Sequence, residues 1–205
     1  MDSVPAALVI GFVIGLSGAL APGPTLVATI RGSLSGGWTT GPRVALGHAM
    51  VEAALALVIV AGLSGAADTL AVPVAVLGGA ALILFGVLTL RESRGAVLEA
   101  ADGEAAGSAV LAGALTSAAN PYFWLWWLTV GSGLLLAASA AGWAVATAFM
   151  IGHWGSDFGW FGLVAAATAR GRSVLSAGLY RIILAACGVF LILFGGSYLW
   201  YAFAG

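Results

Sequence analysis

GHAMVE, residues 47–52, places a histidine and a glutamate inside an otherwise apolar run from Val44 to Ala67. GHWGSD, residues 152–157, repeats the Gly-His-x-x-x-carboxylate spacing 105 residues later. Two further matches follow in the same order. LILFG occurs at 82–86 and 191–195, an offset of 109, and the proline motifs APGP and AANP end at Pro24 and Pro121, an offset of 97. Offsets that drift in this way are what loops of unequal length produce, so the chain reads as two three-helix halves. An odd number of crossings per half turns the second half upside down. Inverted repeats with unusual features at corresponding positions are a signature of secondary transporters.

Composition supports a membrane setting. Of 205 residues, 61% are hydrophobic and 7% charged, which is the balance of a lipid-embedded chain. No charged side chain lies between Asp2 and Arg31, or between Asp68 and Arg91, and each gap exceeds the roughly 20 apolar residues that span hydrocarbon. Breaking the apolar runs at charges and Gly/Ser/Pro clusters gives spans at 5–30, 43–64, 70–90, 109–135, 142–168 and 178–203, with a hairpin placed in GSGLLLAASAAG, 131–142. The segment MDSVP lacks the basic region of a cleaved signal, so the first helix is expected to remain.

The expected fold is therefore an all-α membrane protein with six transmembrane helices, arranged as two inverted three-helix repeats in which helices 1 and 4 are broken. One transporter domain covers 1–205, with repeat one at 1–94, a connector at 91–108 and repeat two at 109–205. All seven basic residues are arginines, and Arg31, Arg43, Arg91, Arg94, Arg170, Arg172 and Arg181 fall in or beside alternate loops. By the positive-inside rule those loops, the connector included, are cytoplasmic and both termini are outside. Trp143, Tyr198, Trp200 and Tyr201 then fall at the outer interface. A net charge of −1 with no lysine provides no basic patch for nucleic acid. The lone Cys187 excludes an internal disulfide. Nothing beyond the His–acid pairs resembles a nucleophile and base around a cleft, so no enzyme and no cofactor is expected.

Pro22 and Pro24 lack amide hydrogens and crowd the preceding turn, while Gly23 permits an unwound backbone. The amides beginning at Thr25 would form the positive end of a half-helix, suited to a carboxylate, and freed carbonyls could take a cation. Asn120 and Pro121 repeat the break, with an amide that both donates and accepts. Pro22, Gly23, Pro24, Thr25, Asn120 and Pro121 are thus the expected substrate-binding residues. His48, Glu52, His153 and Asp157 could exchange protons, hold an ammonium group, or bind a divalent metal as a mixed N/O ligand set. Gly11, Gly15 and Gly18, and Gly152, Gly155, Gly159 and Gly162, form stripes suited to close helix packing. The cluster YFWLWW, 122–127, could wall a pocket or anchor in lipid.

GLSGALAPGPTLVATIRGSLSGGWTTG followed by GHAMVE, with SAANPYFWLWW and GHWGSD, resembles the lysine exporter (LysE/RhtB) family of amino-acid efflux carriers over nearly the whole chain. The resemblance implies a six-helix carrier of the plasma (inner) membrane. It also implies export of amino acids or similar small metabolites, use of the proton gradient, and a homodimer. The chain departs from the family pattern at Tyr122, where many relatives carry lysine, and in its paired Gly-His-x-x-x-acid motif.

Overall fold

The computed structural model describes residues 1, 3–62, 67–95, 106–171 and 176–204. Among these the regular elements are all helical. They are α1 (Val4–Ala19), α2 (Pro24–Gly36), α3 (Thr40–Val60), α4 (Ala67–Gly95), α5 (Ala106–Ala118), α6 (Pro121–Trp126), a π-helical turn (Trp127–Gly131), α7 (Ser132–Ala140), α8 (Trp143–Gly171) and α9 (Ala177–Ala204). Helices are the expected solution for apolar segments, because each backbone group is satisfied within its own segment. Thr40–Val60, Tyr122–Ala140 and Ala177–Ser197 are each long and apolar enough to cross a bilayer, and α1 with α2 would add a fourth crossing if counted as one broken span. Residues 96–105 of the expected connector and Arg172 lie outside the described residues, as do the side chains of Pro121, Tyr198 and Tyr201.

Both expected breaks occur, and the first is sharper than a kink. α1 stops at Ala19, α2 begins at Pro24, and the two axes differ by 82°. Pro24 occupies the first turn of α2, where a missing amide costs nothing. Gly23 precedes it in extended conformation and offers no side chain to cap the new helix. α2 therefore turns across the bundle and is largely buried against α3, α5 and α8. At the second break α5 ends at Ala118 and α6 opens at Pro121. Here the cap is present, since Asn120 Oδ1 accepts from the Tyr122 amide at 3.1 Å.

The hairpin expected in 131–142 is confined to its last two residues. α7 continues through Leu, Ala and Ser to Ala140, and the chain reverses at Ala141 and Gly142, where Gly142 has φ of +121°. Leucine and alanine are strong helix formers, and only the final glycine supplies the left-handed backbone the reversal needs. The π turn before α7 admits two neighbouring indoles, because a Cβ on Gly131 would collide with the rings of Trp126 and Trp127.

Three helix pairs carry the packing: α1 along α8, α3 against α5, and α4 along α9. Each pair meets at reciprocal glycines. A Cβ on Gly11 would strike the Phe149 carbonyl, and one on Gly152 the Leu8 carbonyl. Gly47 stands in the same way against Val110, and Gly113 against Val44. Gly79 faces the Gly195 carbonyl and Gly86 that of Gly188. The expected glycine stripes are packing surfaces only in part, because Gly159 and Gly162 have nothing within 4 Å of an added Cβ. The contrast yields a test: Gly152→Ala should lower stability by about 1–3 kcal/mol through overpacking. Gly159→Ala should be neutral or stabilising by up to about 1 kcal/mol from helix propensity. Thermal melts of the two purified variants in one detergent check this.

Candidate functional site

Two helices bring the polar centre together. α3 presents His48 and Glu52 one turn apart, and α8 presents His153 and Asp157 in the same way. Glu52 and Asp157 are each 1% exposed and His153 2%, so the pairs face the interior as their cost in lipid demands. The contacts run across the helices as well as along them. Glu52 Oε1 accepts from His153 Nε2 at 2.9 Å and lies 3.1 Å from His48 Nε2. Asp157 sits farther off, with Oδ2 3.6 Å from His153 Nε2 and Oδ1 3.9 Å from His48 Nε2. The shortest His–acid contact thus joins α3 to α8, whereas the i,i+4 spacing alone suggests two separate pairs.

Two partners of this centre escape a reading of the motifs. Trp127, 1% exposed, donates its indole N–H to Glu52 Oε1 at 3.1 Å. Ser117, fully buried near the end of α5, has its Oγ 2.6 Å from His48 Nδ1. YFWLWW divides between the wall of the site and the protein surface. Phe123, Trp126 and Trp127 turn inward, while Trp124 is 36% exposed. Tyr122 and Trp126 tie this segment to α1, donating to the Ser17 carbonyl and to Ser17 Oγ respectively.

Around this centre lies a cavity of about 40 Å³, room for a few waters or an ion in this conformation. Gly23 and Thr25 from the first break, Asn120 from the second, and all four residues of the His–acid pairs line it. Pro22 and Pro24 do not; they act by ending one helix and starting the next. Phe123, Trp126, Trp127 and Phe161 supply aromatic wall. Three oxygens at this site are buried without a hydrogen-bond partner: Thr25 Oγ1, Glu52 Oε2 and Asp157 Oδ2. No arginine is among the lining residues.

Two carboxyl groups buried in one small space favour a compensating positive charge beside the two imidazoles, and a proton, an ammonium group or a metal ion can provide it. One ligand atom from each of His48, Glu52 and Asp157 lies within 4.8 Å of the others, a mixed N/O set that a divalent cation could use. α2, whose first turn borders the same cavity, starts with no side-chain cap, so its first amides could meet an anion. Because Glu52 Oε1 depends on Trp127 for one of its donors, Trp127→Phe should cost about 1–3 kcal/mol of stability. Trp124→Phe, which removes a donor from a more exposed site, should cost less, and thermal melts of both variants measure the difference.

Residues 16–202 match the family described as LysE type translocator. The chain is similar to the chemotactic transduction protein ChpE of Pseudomonas aeruginosa, with 31% identity over a 194-residue alignment that covers 91% of this chain and 92% of that protein. No solved structure matches it. With its apolar helices and a family match over most of its length, the chain belongs to the LysE type translocators, multi-pass membrane transporters and not enzymes.

Proposed function

We propose that this translocator is a proton-coupled secondary exporter of amino acids or related small zwitterionic metabolites, and that its cargo passes through the cavity between the two breaks. The observation that carries the proposal is the pair of unpartnered oxygens, Glu52 Oε2 and Asp157 Oδ2, on side chains only 1% exposed. Such a pair is costly to bury until a donor or a positive group meets it. If a proton fills the place on one side of the membrane and the substrate's ammonium group on the other, the two compete for the same oxygens. Competition of that kind couples their movements. The substrate's carboxylate would meet the uncapped start of α2, the Thr25 hydroxyl and the Asn120 amide, which border the same cavity.

The proposed architecture is six spans in two inverted repeats within one domain. Its support is the reciprocity of the glycine contacts. The Gly11–Phe149 and Gly152–Leu8 contacts of α1 and α8 reappear in α5 and α3 as Gly113–Val44 and Gly47–Val110, at offsets of 102 and 105 residues. Gly79 and Gly188, and Gly86 and Gly195, are related by 109 residues and pair crosswise. A two-fold relation between halves produces contacts of this form. The proposed setting is the plasma (inner) membrane with both termini outside, for which the arginine distribution is the support, and the proposed homodimer comes from the family resemblance.

A second reading, export of a divalent metal, is favoured by one observation, the convergence of His48, Glu52 and Asp157 ligand atoms within 4.8 Å. Transport by purified protein in liposomes separates the two. Vesicles loaded with labelled amino acids should release them faster under an imposed pH gradient, and Asp157→Asn and Glu52→Gln should each reduce the gradient-dependent rate about ten-fold or more. Amino-acid release indifferent to the gradient and to both substitutions would sink the proton-coupled reading. Movement of Mn²⁺ or Zn²⁺ without any amino acid would establish the second.

A further inference from the structure

His48 and His153 hold matching places in the repeated motif, yet the second nitrogen of each ring meets a different neighbour. His48 Nδ1 lies 2.6 Å from Ser117 Oγ, and that hydroxyl donates to the Gly113 carbonyl at 2.6 Å. A serine hydroxyl has one hydrogen, so with it directed at Gly113 the oxygen can only accept, and the hydrogen shared with the ring belongs to Nδ1. His153 Nδ1 is buried with no partner. It faces Gly15, where an added Cβ would come within 2.8 Å of it and would also strike Ser156 Oγ; that nearby hydroxyl donates to the His153 carbonyl and not to the ring. Its other nitrogen, Nε2, donates to Glu52 Oε1.

We infer that Ser117 is a positioning residue, which commits Nδ1 of His48 to α5 and leaves Nε2 as the only ring nitrogen that faces Glu52 and Asp157. The inference rests on the reading of the cavity as the transport site and deepens it, because it makes the two histidines unequal. His48 is held at both nitrogens and lies edge-on to Phe123 and Phe161, with ring centroids 5.4 and 5.9 Å away. A flip of this ring would break the Ser117 contact and turn a carbon toward the carboxylates. His153 also packs among aromatic rings, those of Trp126, Trp127 and Phe149, but it is hydrogen-bonded at one nitrogen only, and its Nδ1 lies beside Gly15 and Ser156 without a partner. The motif is duplicated, but its anchoring is not.

The chain has two histidines, so long-range ¹H–¹⁵N spectra of the full-length protein in nanodiscs contain two imidazoles, assigned by loss of one set in His153→Gln. The expected wild-type spectrum has a proton on Nδ1 of His48, beside one on Nε2 wherever that nitrogen donates to Glu52 Oε1, 3.1 Å away, and a proton on Nε2 of His153. Ser117→Ala should release His48 into mixed tautomers and lower the liposome transport rate about ten-fold. Ser117→Thr, which keeps the hydroxyl, should restore both. The inference is overturned if wild-type His48 carries no proton on Nδ1, or if Ser117→Ala leaves the His48 signals unchanged, or if it shifts them with transport intact. If Ser117→Ala does not fold, the wild-type spectrum and the threonine variant decide the matter. Liposomes in which the wild-type protein moves no amino acid would overturn the transport reading while leaving the spectrum to judge Ser117.

Discussion

A single oxygen, Oε1 of Glu52, is where the structure converges. It takes hydrogen bonds from Trp127 and His153 and lies against His48, so α3, α8 and the π turn after α6 all meet at one atom. An acid buried to 1% exposure in an apolar bundle is costly unless it is surrounded by donors. The rest of the fold can be understood as the means of bringing those donors close enough. α8 approaches α1 through Gly11 and Gly152, and α3 approaches α5 through Gly47 and Gly113, each pair with backbone in contact. With side chains at those four positions the helices would stand farther apart, and the contacts near 3 Å would be lost.

Glu52 and Asp157 show how one motif can yield two roles. Both sit four residues after a histidine, and both are buried. Glutamate, longer by one methylene, reaches the indole and the imidazole of neighbouring helices. Aspartate stops short, and its Oδ2 stays 3.6 Å from the nearest imidazole nitrogen. The difference of one carbon separates an acid that ties helices together through Oε1 from one whose Oδ2 stands clear of both imidazoles. Two hydroxyls farther along α2 behave in a third way. Thr29 and Ser33 donate to the carbonyls one turn back, at Thr25 and Thr29, so they satisfy themselves locally and permit a polar face to be buried without partners from other helices.

Much of this was legible in the residues. The His–acid spacing, the Pro-Gly-Pro and Asn-Pro breaks and the helical character of the apolar runs each follow from local rules, and seven of the ten proposed site residues line one cavity. What was not legible depends on distance in space. Nothing in APGP specifies an 82° turn, because the angle is decided by the surfaces of α3, α5 and α8 on which α2 lies. Trp127 looks like its five neighbours in YFWLWW until the π turn rotates it toward Glu52. Ser117 is one small polar residue in an apolar helix, and only its position across from His48 distinguishes it. The hairpin was displaced for a local reason: Gly133 lies in a helix-forming run, while Gly142 stands where that run has ended.

The glycine crossings also bear on how the bundle can move. Where a carbonyl of one helix rests in the notch left by a missing side chain on the other, sliding by even one residue would bring a Cβ onto that carbonyl. Tilting about the notch meets no such obstacle. α1 with α8, α3 with α5, and α4 with α9 are therefore keyed pairs, in which close backbone contact opposes sliding more than it opposes tilting about the notch.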